Sequence, residues 1–175
     1  SISRIIPYKG HLLLIEIFEK LFKKNHKICF QIIGDTLPQY QNYFSDLKTK
    51  VKDKGLDSKI SFLGYQRDVI PLLNNTDFFI HLPISPDPLP TVIIEAIKTK
   101  TPVITNDLGG AIEILNDGKN GLIINNNSID ESVGKILNYI KNKQLQNQNI
   151  QNAYRYVCKN FSLEEFQKKI LNIIE

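Results

Sequence analysis

SPDPLPTVIIEAIKTKTPVITNDLGGAIEIL, residues 85–115, sets one acid, Asp87, on a proline-rich loop and a second, Glu95, eight residues later in the first turn of an expected helix. An apolar strand, Pro102 to Thr105, follows, and then the pair Gly109-Gly110. A loop that runs into a helix N-terminus presents free N–H groups and the positive end of the helix dipole, which suits a phosphate. That anion would repel a carboxylate beside it, so the natural partners of Asp87 and Glu95 are hydroxyls that donate hydrogen bonds. Phosphate donors flanked by carboxylates fit a nucleotide sugar.

Working outward, helices and strands alternate. Leu14, Ile17, Phe18 and Leu21 repeat at i, i+3, i+4 and i+7 and predict a helix over 10–22. Strands are expected at 28–33, 59–63, 78–82, 102–105 and 121–124. Helices are expected at 39–54, 68–74 (capped by Asp68), 91–98 (capped by Thr91) and over the run of Ile129, Val133, Ile136, Leu137 and Ile140. Residues 145–160 read as mostly helical, with the polar run 144–152 as a solvated face. Leu163, Phe166, Ile170 and Ile174 mark a last helix. Strands alternating with helices imply right-handed βαβ units and a mainly parallel sheet covered on both faces. The expected fold class is therefore α/β, a Rossmann-like three-layer α/β/α arrangement.

Composition narrows the function. The 175 residues make one domain, 1–175, long enough for a real core. Net charge is +4, compatible with an anionic ligand or an anionic membrane surface without establishing either, and no nucleic-acid partner is expected. No apolar run nears the roughly 20 residues of a membrane span. Cys29 and Cys158 lack metal-site spacing, and Cys29 is expected to be a buried thiol in its strand. His11, His26 and His81 have no ligand-like neighbours, so no metal site is expected, and His81 reads as a buried, satisfied histidine. Met is absent, position 1 included, which reads as the mark of a piece excised from a longer protein.

Asp87-x7-Glu95, with Ala96 and PVITNDLGGAIEIL behind it, resembles the E-x7-E region of retaining glycosyltransferases of family 4, whose fold is termed GT-B. SRIIPYKGHLLLIEIFEKL (3–21) looks like that family's Arg…Lys-Gly segment, and CFQIIGD (29–35) like the strand after it. FLGYQRDVIPLLNNTDFFIHLP (62–83), NDGKNGLIINN (116–126) and FSLEEF (161–166) complete the series in order along nearly the whole chain. The resemblance implies the donor-binding C-terminal half of the fold, with an N-terminal acceptor domain absent from this chain. It implies hexosyl transfer from a UDP-sugar or GDP-sugar with retention, needing no cofactor or metal. The acceptor would be a saccharide or lipid-linked glycan, and the place of action the cytoplasm or the cytoplasmic face of a membrane.

It also implies roles. Arg4 and Lys9 hold the donor diphosphate in place of a metal. Glu95 takes the ribose hydroxyls. Asp87 stands where the family has its first Glu, near the transferred sugar, and its reach is shorter by one methylene, roughly 1.5 Å. Leu89, Pro90, Thr91 and Val92 enter the helix, and the N–H groups of Thr91, Val92 and Ile93 with the Thr91 hydroxyl cradle a phosphate. Pro90 replaces a frequent Gly and lacks an N–H donor. Gly34 lets backbone approach the ligand; Gly64 and Tyr65 touch the base, with Tyr65 as a lid. Glu113 fits the pattern in a structural role. Two readings stay open beside this one: a related nucleotide-sugar epimerase, and a non-catalytic nucleotide-binding module.

Overall fold

The structure is a computed structural model and describes residues 1–125 and 127–174. Five short strands, β1 (Phe30–Ile32), β2 (Ile60–Phe62), β3 (Phe79–His81), β4 (Val103–Asn106) and β5 (Leu122–Ile124), alternate with helices. Every strand pairing is parallel: β1 with β2 (Phe30 opposite Ile60), and β3-β4-β5 in order, with Phe79 opposite Val103 and Ile104 opposite Leu122. An isolated parallel bridge joins Ile2 to Ile33, so the first residues run beside β1.

The helices are α1 (His11–Lys24), α2 (Gln41–Asp53), α3 (Ile70–Asn74), α4 (Thr91–Lys98), α5 (Ala111–Ile114), α6 (Ile129–Lys141), α7 (Lys143–Asn160) and α8 (Leu163–Ile174). Their apolar stripes form two cores. One unites α1, α2 and α6 around β1, with Leu14, Ile17, Phe18, Leu47, Ile32 and Ile136 buried. The other gathers α4, α5 and α7 around Phe79 and Val103. Helices on both faces of parallel strands give the expected Rossmann-like α/β fold.

Four local expectations need correction. Thr91 is not the cap of α4 but its first residue. Pro90 is the N-cap, without a side-chain hydrogen bond, so Glu95 falls in the second turn. Asp68 lies two residues before α3 and its Oδ1 accepts from the Ile70 N–H at 3.0 Å, while Val69 is the cap. Cys29 is exposed, because alternation turns Phe30 and Ile32 inward and Cys29 and Gln31 outward. The polar run in α7 is helical but not wholly solvated: buried Gln146 donates to the Tyr139 and Ile140 carbonyls, and buried Asn149 to Lys119 O at 2.8 Å. The side chains of 166, 170 and 174, which carry the expected face of α8, lie outside the described residues.

No helix among the described residues is long and apolar enough to cross a membrane. A cavity of about 560 Å³ between β1 and β3 is lined largely by core side chains such as Phe18, Phe30 and Phe79, with Asn25, Lys27 and Asp77 at the N-terminal ends of the strands. The groups with chemistry gather at the opposite ends.

Candidate donor-binding site

The first turn and the β3 exit are locked together by glycine. Gly10 follows the 3-10 turn Pro7–Lys9 at φ 72°, and a Cβ there would lie 1.9 Å from the Leu82 carbonyl oxygen. Only glycine allows that approach at a positive φ. The Ile84 N–H donates to Tyr8 O at 3.0 Å and fixes the same contact. Lys9 therefore reaches the loop after β3. That loop is held from its other side: the Gly110 N–H donates to Asp87 O at 2.8 Å, and a Cβ on Gly109 would fall 2.4 Å from the same oxygen.

These constraints bring Lys9 Nζ onto Asp87 Oδ2 as an ion pair, each side chain about one-fifth exposed. The pair sits in a cavity of about 360 Å³ whose lining includes Arg4, Leu89, Pro90, Thr91, Val92 and Glu95. Residues from the two ends of a 92-residue stretch, Arg4 to Glu95, thus line one cavity. They converge at the C-terminal ends of the strands, where open parallel sheets bind ligands.

The α4 N-terminus opens onto this cavity. The N–H groups of Thr91 and Val92 have no acceptor among the described residues, whereas the Ile93 N–H donates to Pro90 O at 2.9 Å. The expected cradle accordingly loses one donor and keeps two. Arg4 is exposed and Glu95 half-buried, and neither has an ion-pair partner among the described residues.

Three expected site residues lie outside the cavity lining. Gly34 and Gly64 are joined by a hydrogen bond from the Gly34 N–H to Gly64 O at 2.9 Å, and Gly34 packs on the Ser3 carbonyl. Tyr65 beside them is 72% exposed. They form a separate rim on the β1-β2 side. Glu113 is exposed on α5.

The residue the sequence undervalued is His81. It is buried as expected but not satisfied: Nε2 has no hydrogen-bond partner and lies 3.7 Å from Asp87 Oδ2. Burial, and then the Lys9 charge, push its pKa down to about 4 against the opposing pull of Asp87, so the imidazole is neutral at pH 7. Its place at the end of β3, six residues before Asp87, was the available signal. His11, buried at the start of α1, meets Ser3 Oγ at 3.2 Å and is likewise lowered to about 4, chiefly by burial. Among the described residues no cluster of three His, Cys, Asp or Glu side chains forms a metal site.

Residues 1–156 match the family described as glycosyl transferases group 1. The chain belongs to this family. It is 29% identical over 174 residues to the poly(ribitol-phosphate) alpha-N-acetylglucosaminyltransferase of Staphylococcus aureus, covering 98% of this chain and 34% of that protein. Anabaena Alr3699/HepE in complex with UDP superposes with a TM-score of 0.90 at 26% identity, over 99% of this chain and 47% of that one. The C-terminal domain of a group 1 glycosyl transferase, LpcC from Francisella tularensis, matches at a TM-score of 0.78 and 28% identity, over 93% of this chain and 85% of that domain. The chain thus spans between about a third and a half of the full-length relatives.

Proposed function

We propose that this chain is the donor-binding half of a retaining hexosyltransferase, of the kind grouped as family 4, that uses a nucleoside diphosphate sugar in glycan or polysaccharide synthesis. The observation that carries the reading is the single cavity that joins Arg4, Lys9 and the two free N–H groups of α4 to Glu95. Two cations and a helix N-terminus suit a diphosphate. Glu95, one turn further along α4 and in the same cavity lining, would accept from ribose hydroxyls. The UDP held by Anabaena HepE supports a uridine donor.

In the reaction, the bond from the anomeric carbon to the diphosphate oxygen breaks, the departing diphosphate carries the electron pair, an acceptor hydroxyl oxygen forms the new bond to that carbon, and the hydroxyl proton passes to the diphosphate. Arg4, Lys9 and the α4 dipole stabilise that growing negative charge, which is electrostatic catalysis by groups already in place. Asp87 borders the region of the sugar. The acceptor, a saccharide or lipid-linked glycan, would meet the donor from a second domain, in the cytoplasm or at the cytoplasmic membrane face. No divalent cation is required in this scheme.

Isothermal titration with UDP, GDP, ADP and their hexose derivatives tests the reading. Binding of a nucleoside diphosphate but not of inorganic phosphate is expected. Failure of all three diphosphates to bind contradicts it.

A further inference from the structure

The Lys9–Asp87 pair sets a problem for the donor site. An incoming diphosphate needs the Lys9 ammonium, and Asp87 already holds it. If Lys9 turns to the phosphate, Asp87 is left as a largely buried carboxylate beside an anion. A charge in that position is costly unless another donor reaches it.

Such a donor is present. His81 Nε2 lies 3.7 Å from Asp87 Oδ2, is buried, and has no other partner. A hydrogen bond needs about 2.8 Å, so the gap to close is about 1 Å. Both backbones are fixed while the side chains move. Thr105 Oγ1 donates to His81 O at 2.8 Å, and the His81 ring lies parallel to Phe79 with centroids 6.4 Å apart. Asp87 O is held by the Gly110 N–H. Of the other charged groups lining the cavity, Arg4 serves the phosphate and Glu95 is itself an anion. His81 Nε2 is thus a buried, unpartnered nitrogen of the cavity lining, 3.7 Å from the carboxylate.

We propose that His81 is a positioning residue: when the donor diphosphate draws Lys9 away, the neutral imidazole donates its Nε2–H to Asp87 and holds that carboxylate off the phosphate and beside the sugar. The inference rests on the proposed donor site. It makes Asp87 a competitor of the diphosphate for Lys9, and makes the contribution of His81 depend on the charge of Asp87.

The test is a set of mutant cycles read by UDP titration, with thermal unfolding to confirm that each variant folds. Asp87→Asn is expected to tighten UDP binding by about threefold to tenfold, because Lys9 is released; the gain should vanish in a Lys9→Ala background. His81→Leu is expected to weaken UDP binding about tenfold, as loss of a charge-assisted hydrogen bond does. In the Asp87→Asn background the same change should do almost nothing. His81→Gln, which keeps an N–H donor, should retain most of the affinity. A nitrogen-15 spectrum of wild-type His81 gives a second readout, with the Nε2–H resonance shifting towards a hydrogen-bonded value as UDP is added. Equal losses from His81→Leu in both backgrounds would overturn the proposal and leave His81 a packing residue. So would unchanged or weaker UDP binding by Asp87→Asn, or a static Nε2 signal in a UDP-bound protein. Absence of any nucleotide binding overturns the donor-site reading itself, and this inference with it.

Discussion

Lys9 and Asp87, 78 positions apart in the chain, form a part-buried ion pair at the C-terminal ends of the strands. Gly10 against Leu82 O and Gly109 against Asp87 O are the backbone approaches that make it. The site is therefore built by packing before any ligand arrives.

The cations should carry diphosphate affinity. Arg4→Ala and Lys9→Ala are each expected to weaken UDP binding by tenfold or more, since a charge-assisted hydrogen bond contributes about 1.5–3 kcal/mol. Uridine, which has no phosphate, should be unaffected. Calorimetry on the two variants checks this, and equal losses for uridine and UDP would refute the assignment.

Glu95 has no ion-pair partner among the described residues and borders the cavity from the second turn of α4. If it accepts from the ribose, Glu95→Gln should lower the affinity for UDP towards that for 2′-deoxy-UDP. Wild-type protein that binds the two nucleotides equally would take Glu95 off the ribose.

Backbone approach should be as sensitive as the side chains. Gly10→Ala puts a Cβ 1.9 Å from Leu82 O at φ 72°, and Gly109→Ala puts one 2.4 Å from Asp87 O at φ 65°. Each is expected to cost at least 1–3 kcal/mol, roughly the strain of a left-handed non-glycine residue plus the clash. Gly64→Ala, also at positive φ (67°) but with open space around it, should cost less. Urea unfolding of the three variants gives the order, and an equal cost at all three would show that the contacts do not matter.

Acid should act through the buried imidazoles. His81 and His11 are lowered to about 4 in the fold, against an ordinary 6.5. The unfolded chain then binds more protons between these values, so stability is full above about pH 6.5 and falls as pH drops towards 4. From pH 7 to pH 5 the loss is on the order of 2 kcal/mol per histidine. His81→Gln should remove its share of that slope. A slope identical in wild type and variant would show that His81 does not titrate as its burial demands.

The fold was legible because periodicity is local. Leu14, Ile17, Phe18 and Leu21 repeat with the helical period, and all four are buried in one core. Of the candidate site, the loop running into α4 was legible from its own residues, and Arg4, Lys9, Asp87 and Glu95, singled out by their motifs, line one cavity. What the sequence hid depends on tertiary contact. The Lys9–Asp87 pair needs two glycine approaches that no spacing rule reveals. Ile93 loses its free N–H to Pro90 O because proline, not threonine, caps α4. Tyr65 and the Gly34–Gly64 link fall outside the cavity lining because the β1-β2 pair forms its own rim. His81 was underrated because burial is visible in a strand pattern, whereas an unpartnered Nε2 is not.

The proposed nucleoside diphosphate site, made by Arg4, Lys9 and the α4 N-terminus, should need no metal. Thermal unfolding with UDP in the presence of EDTA tests it most directly. Tm is expected to rise with UDP concentration, as ligand linkage requires, by the same amount with EDTA or with Mg²⁺, and the rise should be lost in an Arg4→Ala, Lys9→Ala double variant. A Tm that rises only with Mg²⁺, or rises equally in the double variant, would contradict it.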